Sequence, residues 1–83
     1  MKEEIRYRNI RVYVDRKGNV VNFEPTSGGD ISDCVRDVIR FLHIKKLDNE
    51  YILKFNGKKM KISRFSNAND IVNEYCGIKQ LGL

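Results

Sequence analysis

The chain has 83 residues, a formal net charge of +5 and 41% hydrophobic residues. That is enough apolar sequence for one domain with its own core, and glycine and proline are too sparse for a disordered or low-complexity chain. Two cysteines without C-x-x-C spacing and a lone histidine exclude a legible metal site and a disulfide-dense mini-domain, and no run approaches the ~20 apolar residues of a membrane span.

From Ile10 the residues alternate: Ile10, Val12 and Val14 on one side, Arg11 and Tyr13 on the other, as in a half-buried strand. Ile5 and Tyr7 are out of phase with that set, so residues 1–8 are expected either as a loosely ordered lead segment or as strand interrupted by a bulge near Asn9. Gly18 supplies a turn, and Asn19 to Glu24 reads as the second strand of a hairpin. Pro25 to Gly29 is a loop. Asp30 can cap a helix whose apolar face is Ile31, Cys34, Val35, Val38, Ile39 and Leu42, with Ser32, Arg36, Asp37, Arg40 and His43 turned away from it. After a charged connection, Tyr51 to Phe55 and Lys58 to Ile62 are strands joined by Asn56-Gly57, the pair that a two-residue hairpin turn favours. A short helix from about Asn67 to Tyr75 stops at Gly77, and Ile78 to Leu83 is a candidate final strand. The core is expected to include Val12, Val14, Val21, Phe23, Ile31, Val35, Val38, Ile39, Leu53, Phe55, Met60 and Ile62.

This order predicts a single α+β domain over residues 1–83. Read with "IRVYVDRKGNVVNFEP", "DISDCVRDVIRFLHI" and "YILKFNGKKMKI", it resembles the ubiquitin-like β-grasp, in ββαββ order with a short late helix and a possible final strand. Ile10 to Ile44 is similar to the Ras-binding domain of the Raf kinases: Ile-Arg-Val opens strand one, Val-Val-Asn lies in strand two, and an Asp-Cys pair comes early in the helix. "GNVVNFEP" followed by a capped helix also resembles the ubiquitin-like subdomains at the head of talin-type FERM proteins. The resemblance implies a protein-interaction domain without catalysis or cofactor. The docking it implies is to a Ras-family small GTPase, or another acidic-faced protein, by addition of strand two to the partner's sheet. Arg11 and Arg40 match family cations, Arg16, Lys17 and Asn19 neighbour a strand-two arginine position, and Val21 and Arg36 complete the implied docking set. Asp37 and Leu42 stand where the Raf family has further helix cations.

Other features carry less. Lys54, Lys58, Lys59, Lys61 and Arg64 form a dense cationic cluster, which on an edge hairpin serves chiefly to block strand-to-strand aggregation. Four tyrosines could stack nucleobases, but core and rim packing accounts for them more simply, so nucleic-acid binding is expected to be weak and salt-labile. Cys34 reads as a small buried hydrophobe, and Asp33 and Asp37 as a solvated pair. The charged amino terminus and the cysteine usage give a cytoplasmic setting as the default.

Overall fold

The computed structural model describes residues 3–77. Its elements are β1 (Glu3–Tyr7), β2 (Ile10–Val14), β3 (Val20–Pro25), α1 (Ile31–Ile44), β4 (Tyr51–Phe55), β5 (Lys58–Ile62) and α2 (Ala68–Cys76). The strands form one sheet in the order β1-β2-β3-β4-β5, antiparallel except for the central β3–β4 pair. The α+β expectation holds. The candidate strand over 78–83 lies outside the described residues.

The opening segment is a strand, not a loose lead. Arg8, at φ 53°, turns the chain so that Tyr7 pairs with Ile10 and Ile5 with Val12. The phase break at Asn9 is therefore a tight hairpin turn, which puts Ile5 and Tyr7 on the same side of the sheet as Ile10 and Val12. Between β2 and β3 the register shifts: Tyr13 faces Asn22 but Val14 faces Val20. Val21 is the extra residue of that bulge and is 37% exposed instead of joining the core.

Asp30 caps α1 by accepting a 2.8 Å bond from the Asp33 N–H. The helix is the crossover that parallel β3 and β4 require. It buries Cys34, Val35, Val38, Phe41 and Leu42 against the inward residues of the strands. Phe23 anchors this layer, edge-on to both Phe41 and Tyr51. Ile31 and Ile39, expected in the core, sit half-buried at its rim. Asn56 and Gly57, at φ 50° and 84°, make the β4–β5 turn as expected. Asn67 caps α2, Gly77 ends it in the left-handed region, and Ile71 closes the core.

Two further expectations need correction. Asp37 is not solvated but 5% exposed, and its Oδ2 accepts from the backbone N–H and side-chain amide of Asn9 at 3.1 and 3.2 Å. The Asn9 carbonyl in turn accepts from the N–H and hydroxyl of Thr26. This polar knot ties the β1–β2 turn to α1 and to the end of β3. The second correction concerns strand two of the expected hairpin, which is β3. It is an interior strand, bonded to β2 on one side and to β4 through Asn22 and Phe23 on the other. Its amides are not free to extend into a partner's sheet. The sheet edges are β1 and β5.

Candidate functional site

Both helices pack on the face that carries Ile10, Val12, Phe23, Leu53 and Ile62. Among the described residues nothing covers the other face. Strand alternation decides what it presents: Glu4 and Arg6 from β1, Arg11 and Tyr13 from β2, Asn22 and Glu24 from β3, Ile52 and Lys54 from β4, Lys59 and Lys61 from β5. Five cations thus share the face with two carboxylates.

The register sets like charges directly opposite one another twice, Arg6 against Arg11 and Lys54 against Lys59. Such pairs destabilise a sheet. Among the described residues only the first has relief, from Glu4, whose Oε2 lies 3.4 Å from Arg11 Nε, and from Glu24, directly opposite Arg11. Lys54, Lys59 and Lys61 have no ion-pair partner among the described residues.

At the centre the Tyr13 hydroxyl donates to Glu24 Oε1 at 3.0 Å. Burial and the bond to Glu24 push the Tyr13 phenol above its ordinary value, with Arg11 opposing, so it stays a donor. Tyr13, Asn22, Glu24 and Lys54 line a shallow cleft of about 200 Å³. Tyr7, Tyr51 and Tyr75 pack edge-on against phenylalanines at the core rim, as expected. Tyr13 alone belongs to the uncovered face.

The residues expected to dock a partner do not converge. Arg11 lies on the uncovered face. Arg16, Lys17 and Asn19 sit in the exposed β2–β3 turn, where Asp15 Oδ1 accepts from the N–H groups of Lys17 and Asn19, both at 2.9 Å. Those bonds, that to Asn19 foremost, hold the Asp15 carboxyl below its usual range. Val21 stands at the bulge. Arg36 and Arg40 lie on α1, in the opposite layer, and with Ile39, His43 and Ile44 they line a groove closed by Ser66 and Ala68. Arg40 also lies 3.6 Å from the buried Asp37 carboxylate.

Sequence reasoning missed Arg6, Asn22 and Glu24 and discounted Tyr13. Alternation around Tyr13 and Phe23 was a usable signal for the outward set on β2 and β3. That the lysines of β4 and β5 extend the same face follows only from the β3–β4 pairing.

The thiols offer no site. Cys34 is fully buried, and burial, together with the carboxylates of Asp37, Asp30 and Asp33, pushes it up to about 11. Cys76 is exposed and unpaired. No group of metal-ligating side chains occurs among the described residues, and no described helix is long and apolar enough to cross a membrane. Comparison with protein-family models, with curated proteins and with solved structures finds no match to this chain.

Proposed function

We propose that the chain is a non-catalytic binding domain whose uncovered sheet face takes the phosphate backbone and bases of a single-stranded nucleic acid. The observation that carries this reading is the pair of like-charge cross-strand neighbours, Arg6–Arg11 and Lys54–Lys59, on one uncovered face. Their repulsion, which no described carboxylate relieves at Lys54–Lys59, costs stability in the free protein. A polyanion laid across the sheet relieves it and releases its own counterions. A flat sheet suits a single strand with splayed bases better than a duplex, whose grooves need a protruding helix or ribbon.

Fluorescence anisotropy with labelled eight-nucleotide strands tests it. Log affinity should fall with log salt at a slope of about −2 to −3, corresponding to three or four phosphates. Lys54→Glu with Lys59→Glu should abolish binding, and Arg36→Glu with Arg40→Glu should leave it unchanged. The opposite pattern, or no binding at low salt, overturns the reading.

A second reading, a ubiquitin-like module for a small GTPase or another acidic-faced protein, keeps one supporting observation. β1 is a sheet edge exposed along nearly its whole length. In that case docking moves from Val20–Pro25 to Glu3–Tyr7. Complexes with a GTPase panel that survive high salt and are lost on Ile5→Pro, in a variant shown by its spectrum to be folded, would favour it.

A further inference from the structure

Asn22 is a poor choice for its position if stability is the only criterion. It occupies an interior strand between Tyr13 on β2 and Ile52 on β4, and it is 8% exposed. Its Oδ1 is buried and has no hydrogen-bond partner. Asparagine is depleted in strands, and a buried amide oxygen without a donor is a net cost. Turning the amide over exchanges oxygen for nitrogen and leaves the other end unpaired. A valine or isoleucine, like neighbouring Ile52, would suit the row better.

Glu24, directly opposite Arg11 in the β2–β3 register, puts a carboxylate at the centre of a face otherwise suited to phosphate. Its Oε1 is engaged by Tyr13, which leaves Oε2 as an open acceptor at the edge of the same cleft. Across the cleft stands Lys54, a donor with no ion-pair partner among the described residues. The volume, about 200 Å³, is below that of a drug-sized site and suits one planar heterocycle beside the Tyr13 ring.

We propose that this cleft is a base-reading subsite and that the base it takes is guanine; the proposal rests on the nucleic-acid reading above. Guanine alone among the common bases presents two adjacent N–H donors, N1–H and the 2-amino group, beside a carbonyl oxygen. The Glu24 carboxylate accepts from one donor, the Asn22 amide, turned over so that its oxygen in place of its nitrogen meets the cleft, accepts from the other, and the Lys54 ammonium donates to O6. Adenine and cytosine each offer one amino donor beside ring acceptors, and uracil a single N–H between two carbonyls. Each of these leaves an acceptor of the cleft unpaired, which is how buried polar groups discriminate. The carboxylate then has a reason to stand on a cationic face: it repels phosphate from the spot reserved for a base.

The test uses labelled eight-nucleotide oligouridine with one central position changed to guanosine, inosine, adenosine or cytidine, measured by anisotropy at one salt concentration. The guanosine strand should bind about tenfold tighter than the uridine strand, the discrimination of one good bidentate base contact. Inosine, which lacks the 2-amino group, should lose most of that advantage. Glu24→Gln and Asn22→Leu should each bring the ratio of the two affinities close to one, and Asn22→Leu should raise the melting temperature, which shows that the loss is not one of folding. Equal binding of all strands that still depends on Lys54 and Lys59 overturns the subsite and leaves the nucleic-acid reading standing. Binding of none overturns both. A guanosine preference that survives both variants places the reader elsewhere and overturns the proposal.

Discussion

Replacing Asp37 by alanine removes the one carboxylate buried between α1 and the β1–β2 turn. Two hydrogen bonds to Asn9, at 3.1 and 3.2 Å, disappear with it. A bond to a charged group contributes about 1.5–3 kcal/mol, and these two are long for charge-assisted bonds, so the low end applies and the loss is about 3 kcal/mol. The 3.6 Å approach of Arg40 adds little, because that side chain is half exposed. Alanine is the better helix former by about 0.5 kcal/mol, and the half-buried Asn9 can turn to water, so the net cost is about 2 kcal/mol. For a small domain with a urea slope of about 1 kcal/mol/M, the unfolding midpoint should drop by about 2 M. Asn9→Ala alone should cost about 1 kcal/mol, since its backbone N–H keeps its partner. The double variant should fall short of the sum, because the two residues share one knot. A midpoint within about 0.5 M of wild type, or full additivity, would refute the knot and with it the anchoring of the β1–β2 turn.

The two thiols should differ sharply toward iodoacetamide. Cys76 should label in the native protein at neutral pH and Cys34 only on unfolding, since its thiol is buried and pushed up to about 11; mass mapping that finds Cys34 labelled in folded protein would contradict the packing of α1. The Asp15 carboxyl is lowered by its turn bonds, so its contribution to stability is present above the ordinary aspartate value of 3.8 and is lost as pH falls through the lowered folded value. Denaturant midpoints of wild type and Asp15→Asn should therefore differ at pH 6 and converge at pH 2, and a constant gap would remove the carboxylate from the account.

Much of the local structure is legible from the residues themselves. Caps at Asp30 and Asn67, the Asn56-Gly57 turn and the stop at Gly77 depend on neighbours within four residues, so type and spacing define them. The alternation of Ile10, Val12 and Val14 likewise needs only the strand period. Errors began where a contact crosses the sequence. Asp37 sits at the margin of the buried stripe, three residues after Cys34 and four before Phe41, and Asn9, 28 residues earlier, docks on its carboxylate. Val21 leaves the core because one strand carries a residue more than its partner, a mismatch that neither strand shows alone.

Strand order is the largest such case. The sequence determined two hairpins and a crossover helix but not which strand of the first hairpin receives the second. Either pairing buries the same apolar residues, so periodicity cannot choose between them. The tertiary structure chose β3, and one choice had two consequences. It took the expected docking edge away from Val20–Pro25, and it set Lys54, Lys59 and Lys61 beside Tyr13, Asn22, Arg11 and Arg6 on one continuous face. The charges were all in the sequence. Their convergence was not, because hydrogen bonds between strands far apart in the chain decide which outward side chains become neighbours.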